Sequence, residues 1–68
     1  MKTVDARGLS CPEPVLRARE ALKSKEKEYI ILVDNMTSRE NVTRFARSQG
    51  YNTTVTEKDG EYTLALRK

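Results

Sequence analysis

The chain has one cysteine and no histidine, and the cysteine stands in the run Gly8-Leu9-Ser10-Cys11-Pro12-Glu13-Pro14. A glycine turn followed by prolines and then an amphipathic stretch reads as a loop entering a helix. Pro12 suits the first helical position, where a missing N–H is no loss. Cys11 then falls just ahead of the helix, at the positive end of its dipole. Helix N-termini favour the thiolate. Pro12 and Pro14 have no amide to offer, and the N–H of Val15 is expected to bond the Cys11 carbonyl as the first turn closes. The Glu13 amide and the dipole remain. The Glu13 carboxylate opposes them, because a nearby negative charge raises a thiol pKa. The balance is a moderately lowered pKa. That suits reversible sulfur exchange, since the best attacking thiol titrates near the working pH. The rigid Pro-Glu-Pro would hold the sulfur in one exposed place, where it can carry a persulfide without a base from its own chain. Spacing alone leaves a second reading open, in which Cys11 is a buried, inert, small apolar residue.

Composition excludes much else. A single cysteine cannot form an internal disulfide. Without histidine there is no Cys–His or Ser–His nucleophile pair and no zinc site built from several Cys and His. Nothing signals a metal or an organic cofactor. Thirteen basic and ten acidic residues give a net charge of +3, a weak sign of nucleic acid that suits an acidic protein partner equally well. The aromatics are Tyr29, Phe45, Tyr51 and Tyr62. Phe45 reads as core, so a base-stacking platform is poorly supported and no direct nucleic-acid binding is expected. The longest apolar run, residues 29–33, falls far short of the ~18 residues of a membrane span. Residues 1–5 lack the apolar region of a signal peptide. The expectation is a cytoplasmic protein without membrane contact, monomeric because no large apolar patch is evident.

The elements that must position Cys11 follow from periodicity. Sixty-eight residues allow one thin core, and no linker or repeat divides them. Residues 4–7 are a short, weak strand candidate. The first helix should run from Pro12 to about Lys23, with Pro14, Val15, Ala18, Ala21 and Leu22 on its inner face. Residues 29–33, apolar and rich in β-branched side chains, read as a central strand. Thr37 and Glu40 match a capping box, so a second helix is expected over residues 38–48, with Val42, Phe45 and Ala46 inward, Glu40 and Arg44 paired four apart, and Gly50 left-handed beyond its end. The remainder reads as a hairpin turning at Asp59-Gly60, with Tyr62, Leu64 and Leu66 facing one way. The order β-α-β-α-β-β with right-handed crossovers predicts an α+β two-layer sandwich: a four-stranded mixed sheet with two helices on one face and the other face largely solvated.

Residues around the thiol have candidate roles. Asp5 and Arg7 flank the loop. Arg7 would favour a thiolate or persulfide anion by proximity, or would simply pair with Asp5 on one face of the strand end. Glu13 would tune the thiol or favour the helix dipole. Leu16, with Arg19 and Lys23, forms a stripe that starts near Pro12 and would serve as an apolar and cationic docking edge for an acidic rim on a partner. The bland alternatives are a tucked leucine and a solvated arginine. Arg39, Arg44, Arg47, Arg67 and Lys68 read as a solvated face.

The run from Asp5 to Val15 has the pattern D-x-x-G-L-x-C-P-x-P-V and resembles the signature of the TusA/SirA family of sulfur-carrier proteins. The likeness continues through the apolar strand, Asp34, residues 37–40 and the terminal Leu66-Arg67-Lys68, and so covers essentially the whole chain. It implies a small cytosolic β-α-β-α-β-β domain with Cys11 as the sulfur-bearing residue and Arg19 at a recurrent basic position. Family members take sulfane sulfur from a cysteine desulfurase or another sulfurtransferase, hold it as a persulfide, and pass it to a cysteine of an acceptor protein, in routes that include tRNA thiolation. They act more as sulfurtransferase components than as self-sufficient enzymes. Asp34-Asn35, residues 39–42 and residues 48–51 resemble the YedF-type branch, which is associated with selenium and often carries a DsrE-like domain after this one. The 68 residues would then be an N-terminal domain. Two other functions compete: a redox-sensing or regulatory protein-binding module, in which Cys11→Ser would keep function, and an RNA-binding domain, whose affinity would fall steeply with salt.

Overall fold

Alternation along two strands decides where the core lies. In the computed structural model, which describes residues 2–9 and 13–68, the elements run β1 (Lys2–Asp5), α1 (Glu13–Leu22), β2 (Glu28–Val33), α2 (Met36–Ser48), β3 (Asn52–Lys58) and β4 (Glu61–Arg67). Tyr29, Ile31 and Val33 of β2 pair across the ladder with Leu66, Leu64 and Tyr62 of β4. All six are buried and form the centre of one sheet face. Fully burying an aliphatic side chain of this size contributes ~1.5–3 kcal/mol, so these two strands carry most of the core.

The sheet order is β1-β2-β4-β3. β1 runs parallel to β2, while β4 is antiparallel to both β2 and β3. Both helices lie on the face that carries the core. α1 buries Pro14, Ala18 and Ala21, and α2 buries Ser38, Val42 and Ala46. The small residues at these positions let the helix backbones come close to the sheet. The expected α+β sandwich with a four-stranded mixed sheet is the observed architecture. On the opposite face Thr3, Asp5, Thr54, Thr56 and Arg67 are exposed, while Ile30, Leu32, Thr63 and Ala65 are half-buried at its centre.

Three local signals resolve differently from expectation. β1 starts at Lys2 and ends at Asp5; Arg7 lies outside it because Arg7 turns back onto Asp5. The ladder extends only to the Ala6 N–H, which donates to the Leu32 carbonyl at 2.8 Å. α2 is capped by Asn35, whose Oδ1 accepts from the Ser38 N–H at 2.7 Å. The Thr37–Glu40 capping box is not used, since the asparagine, a better cap than threonine, comes first. Ser38 is instead buried at 1% exposure. Glu40 pairs with Arg39 at 3.3 Å and not with Arg44.

The remaining punctuation is as read. Tyr51 N–H donates to Ala46 O and Gly50 N–H to Arg47 O, with Gly50 at φ +87°, the two bonds of a Schellman ending. Asp59 and Gly60 both have positive φ, 53° and 78°, as a type I′ turn requires. At the amino end of β2, the Tyr29 hydroxyl accepts from the Glu26 N–H at 2.8 Å and lies 3.0 Å from Ser24 Oγ. Tyr51 donates to the Glu26 carbonyl at 3.0 Å. These bonds hold the α1–β2 connector against the sheet end.

Candidate functional site

Parallel pairing of β1 and β2 sends their C-terminal ends, and the segments leading into α1 and α2, to one edge of the sheet. In parallel α/β units this edge is where ligands and reacting groups gather. Cys11 belongs to the first of these segments. Its expected place ahead of the helix, and Pro12 as first helical residue, lie outside the described residues. The flanking chain on both sides is fixed.

On the β1 side, Ala6 is fully buried. Arg7 donates to Asp5 three times: its backbone N–H to Oδ1 at 3.1 Å, Nε to Oδ1 at 2.9 Å and Nη2 to Oδ2 at 2.8 Å. Its Nη1 reaches Glu61 Oε1 of β4 at 3.2 Å. The guanidinium therefore clamps the start of the loop across the sheet edge. These bonds from the Arg7 side chain, then its backbone amide, hold the Asp5 carboxyl well below its ordinary value, at about 2. Conversely, Asp5 and then Glu61 raise the pKa of Arg7. With two carboxylates bound, the arginine's charge is spent within this trio, which carries one net negative charge.

Gly8 follows at φ +78°, and its N–H donates to Asp34 Oδ2 at 2.7 Å. The other oxygen of Asp34 accepts from Asn35 Nδ2 at 3.3 Å, and Asn35 is the cap of α2. One short chain of bonds thus ties the Cys11 loop, the end of β2 and the start of α2. Leu9 then packs partly against the core.

On the α1 side, Glu13 is exposed in the first turn and Pro14 is buried beneath it. An acid there is favourable to the helix dipole. Leu16 is 47% exposed. With Arg19 and Lys23 it lines an open groove of about 710 Å³, completed by Val15, Leu22, Phe45 and Gln49. The structure brings the three stripe residues together as read, but adds Val15 and Leu22 from the inner face and two residues of α2. The surface is a groove between two helices more than the edge of one.

Two residues at this site were not singled out for a role in the sequence. Asp34 has a legible signal, an acid directly after an apolar parallel strand. Glu61 has none, because its meeting with Arg7 depends on β4 inserting beside β2. Among the described residues no cluster of acids, Cys or His is placed to hold a metal ion, and no helix is long and apolar enough to cross a membrane.

Comparison with known proteins is consistent across sequence and structure. Residues 2–68 match the family described as sulfurtransferase TusA. A proposed sulfur carrier protein of Methanocaldococcus jannaschii is 31% identical over all of this chain and 95% of its own length. Another proposed sulfur carrier protein, of Archaeoglobus fulgidus, is 38% identical over 85% of this chain and 78% of its own. The crystal structure of a SirA-like protein from Desulfitobacterium hafniense superposes with a TM-score of 0.90 at 38% identity, covering 98% of this chain and 96% of that one. The chain belongs to the TusA family of sulfur-carrier proteins.

Proposed function

We propose that the chain relays sulfur as a persulfide on Cys11, between a donor such as a cysteine desulfurase or another sulfurtransferase and an acceptor protein with a reactive cysteine. The observation that carries this reading is the anchoring of the described chain on either side of the motif: before it the Asp5–Arg7–Glu61 clamp and the Gly8–Asp34 bond at the carboxyl end of a parallel strand, and after it the buried Pro14 of α1. In the sequence the one cysteine, Cys11, falls between these anchors. The Cys-Pro-x-Pro run fits this use, because two prolines restrict the backbone on either side of Glu13.

The chemistry balances without an outside oxidant. The Cys11 thiolate attacks the terminal sulfur of the donor's persulfide, one S–S bond forms as another breaks, and the donor leaves as its thiolate. The acceptor's thiolate repeats the step on the Cys11 persulfide. Neither step needs a base or a metal from this chain. The carrier's share is to present the sulfur in a fixed place. The groove holding Leu16 and Arg19 supplies the docking edge. A compartment that keeps thiols reduced, such as the cytoplasm, suits the reading. The finer likeness to the YedF-type branch bears on the cargo, since the same thiol would hold sulfur or selenium in the same way.

The test is intact-protein mass spectrometry after incubation with a cysteine desulfurase and cysteine, beside a Cys11→Ser control. The expected result is a gain of one sulfur, reversed by reductant and absent from the control. A parallel incubation with a selenium donor distinguishes the cargo. No adduct with several donors, together with a folded-state thiol that resists alkylation, would overturn the carrier reading in favour of a binding module.

A further inference from the structure

We propose that the open edge of β3, with the arginine side of α2 beside it, takes an acidic extended segment of a partner protein as a fifth strand. The proposal concerns a surface separate from Cys11 and does not rest on sulfur transfer.

The first observation is the edge itself. β3 is the outer strand of the sheet, and its seven residues, Asn-Thr-Thr-Val-Thr-Glu-Lys, contain no proline. Its register with β4 runs unbroken from Asn52↔Arg67 to Lys58↔Glu61, so no bulge twists it away. Proteins usually blunt such edges with charge, proline, bulges or shortness. The opposite edge, β1, has four residues, whereas the charges of β3 sit only at its turn end. Lys58 and Glu61 flank the two-residue turn and exchange the first pair of ladder bonds. Antiparallel alternation then turns the main-chain groups of Thr53, Val55 and Glu57 outward.

The second observation is charge. An open groove of about 370 Å³ between α2 and β3 is lined by Arg39, Glu40, Thr43, Arg44, Arg47 and Val55. Arg39 is engaged, by Glu40 at 3.3 Å and by the Tyr62 ring at 5.2 Å. Among the described residues Arg44 and Arg47 have no ion-pair partner. Glu57 is the one acid on the helix-facing side of the strand. A strand added ~4.8 Å beyond β3 points alternate side chains toward the helix layer, where they meet these two arginines. Carboxylates there gain charge-assisted, fork-shaped hydrogen bonds.

Together the two features specify the occupant. The strand edge asks for an extended main chain, and the arginines ask for acids at every second position. A second copy fits poorly, because β3 against β3 would bring two arginine sides together. A nucleic acid would satisfy the arginines and leave the strand edge unused.

The experiment uses the full chain, isotopically labelled, and a capped octapeptide alternating Thr and Glu. The expected result is NMR shifts confined to the β3 edge and to the Arg44 and Arg47 side chains. The double charge reversal Arg44→Glu, Arg47→Glu should weaken binding at least about tenfold. N-methylation of the peptide at the alternate residues that face β3 should do the same, and at the other set should do nothing. No shift at millimolar peptide would overturn the proposal. So would equal binding of a Thr–Lys peptide, indifference to N-methylation, tighter binding of oligouridylate to the same residues, or a dimer whose β3 amides are already protected.

Discussion

Replacing Asp34 by alanine removes the acceptor that holds Gly8, and the consequence for the Cys11 loop can be worked out from the structure. The Gly8 N–H to Asp34 Oδ2 distance is 2.7 Å, short as charge-assisted bonds are. Hydrogen bonds to charged groups contribute ~1.5–3 kcal/mol net. Both residues are exposed, water competes for each, and ~1 kcal/mol is the appropriate figure. That corresponds to about a fivefold change in the population of the tethered loop. The readout is amide hydrogen exchange. The Gly8 N–H in Asp34→Ala should exchange about fivefold faster, and global stability from urea unfolding should fall by no more than the same ~1 kcal/mol, because no core residue is touched.

If Cys11 relays sulfur, transfer to and from partners should slow by up to about the same factor, since docking needs the loop in place. Alkylation by a small reagent, measured at a pH where the thiol is fully ionised, should not slow, because it needs no docking geometry. Asp34→Asn keeps an acceptor oxygen and should retain most of the protection at Gly8. Unchanged Gly8 exchange in Asp34→Ala would refute the reasoning. So would an Asn variant as exposed as the Ala variant, because charge and not the hydrogen bond would then be the cause.

Two further outcomes follow from the same site. The Asp5 carboxyl is held at about 2, below its ordinary value of 3.8, so its contribution is present above about 4 and is lost as pH falls toward 2; urea midpoints of wild type and Asp5→Asn should differ at pH 6 and converge near pH 2, and parallel curves would sink the assignment. Leu16→Glu removes a half-exposed apolar contact from the groove and should slow transfer about tenfold while shifting stability by less than ~0.5 kcal/mol; unchanged rates with every partner would show that this groove is not the docking surface.

The parts of the fold that were legible in the sequence are those set by local chemistry. Residues 29–33 read as a strand because their run is too short and too β-branched for a helix. Asp59-Gly60 and Gly50 read as turn and helix end because each position needs a positive φ, which all three adopt. What was misplaced depends on distant partners. Lys2 and Thr3 carry no strand pattern of their own. They are extended because Tyr29 and Ile30 lie beside them in a parallel ladder. The second helix starts two residues before the expected Ser38 because Asn35 sits where β2 ends. A capping box two residues later cannot compete with a cap already made. Ser38, whose N–H donates to the Asn35 cap, turns its side chain into the core.

The candidate site divides along the same line. Cys11, the prolines and the Asp5–Arg7 pair are neighbours in sequence, so their chemistry could be argued from spacing. The role of Arg7 could not be settled that way, because proximity to the thiol and pairing with Asp5 are both open to a residue four positions before the cysteine. The structure adds a contact with Glu61, 54 residues away, brought to the start of the loop only because β4 enters the sheet beside β2. With that contact made, Arg7 holds the loop against the sheet edge and its charge is already answered by two carboxylates. In the proposed relay, thiolate stabilisation at Cys11 would fall to the start of α1, whose dipole needs no side chain to deliver it. Such a relay would gain little from a strongly acidic thiol, because a sulfur that must leave as readily as it arrives is best held by a thiol of intermediate pKa.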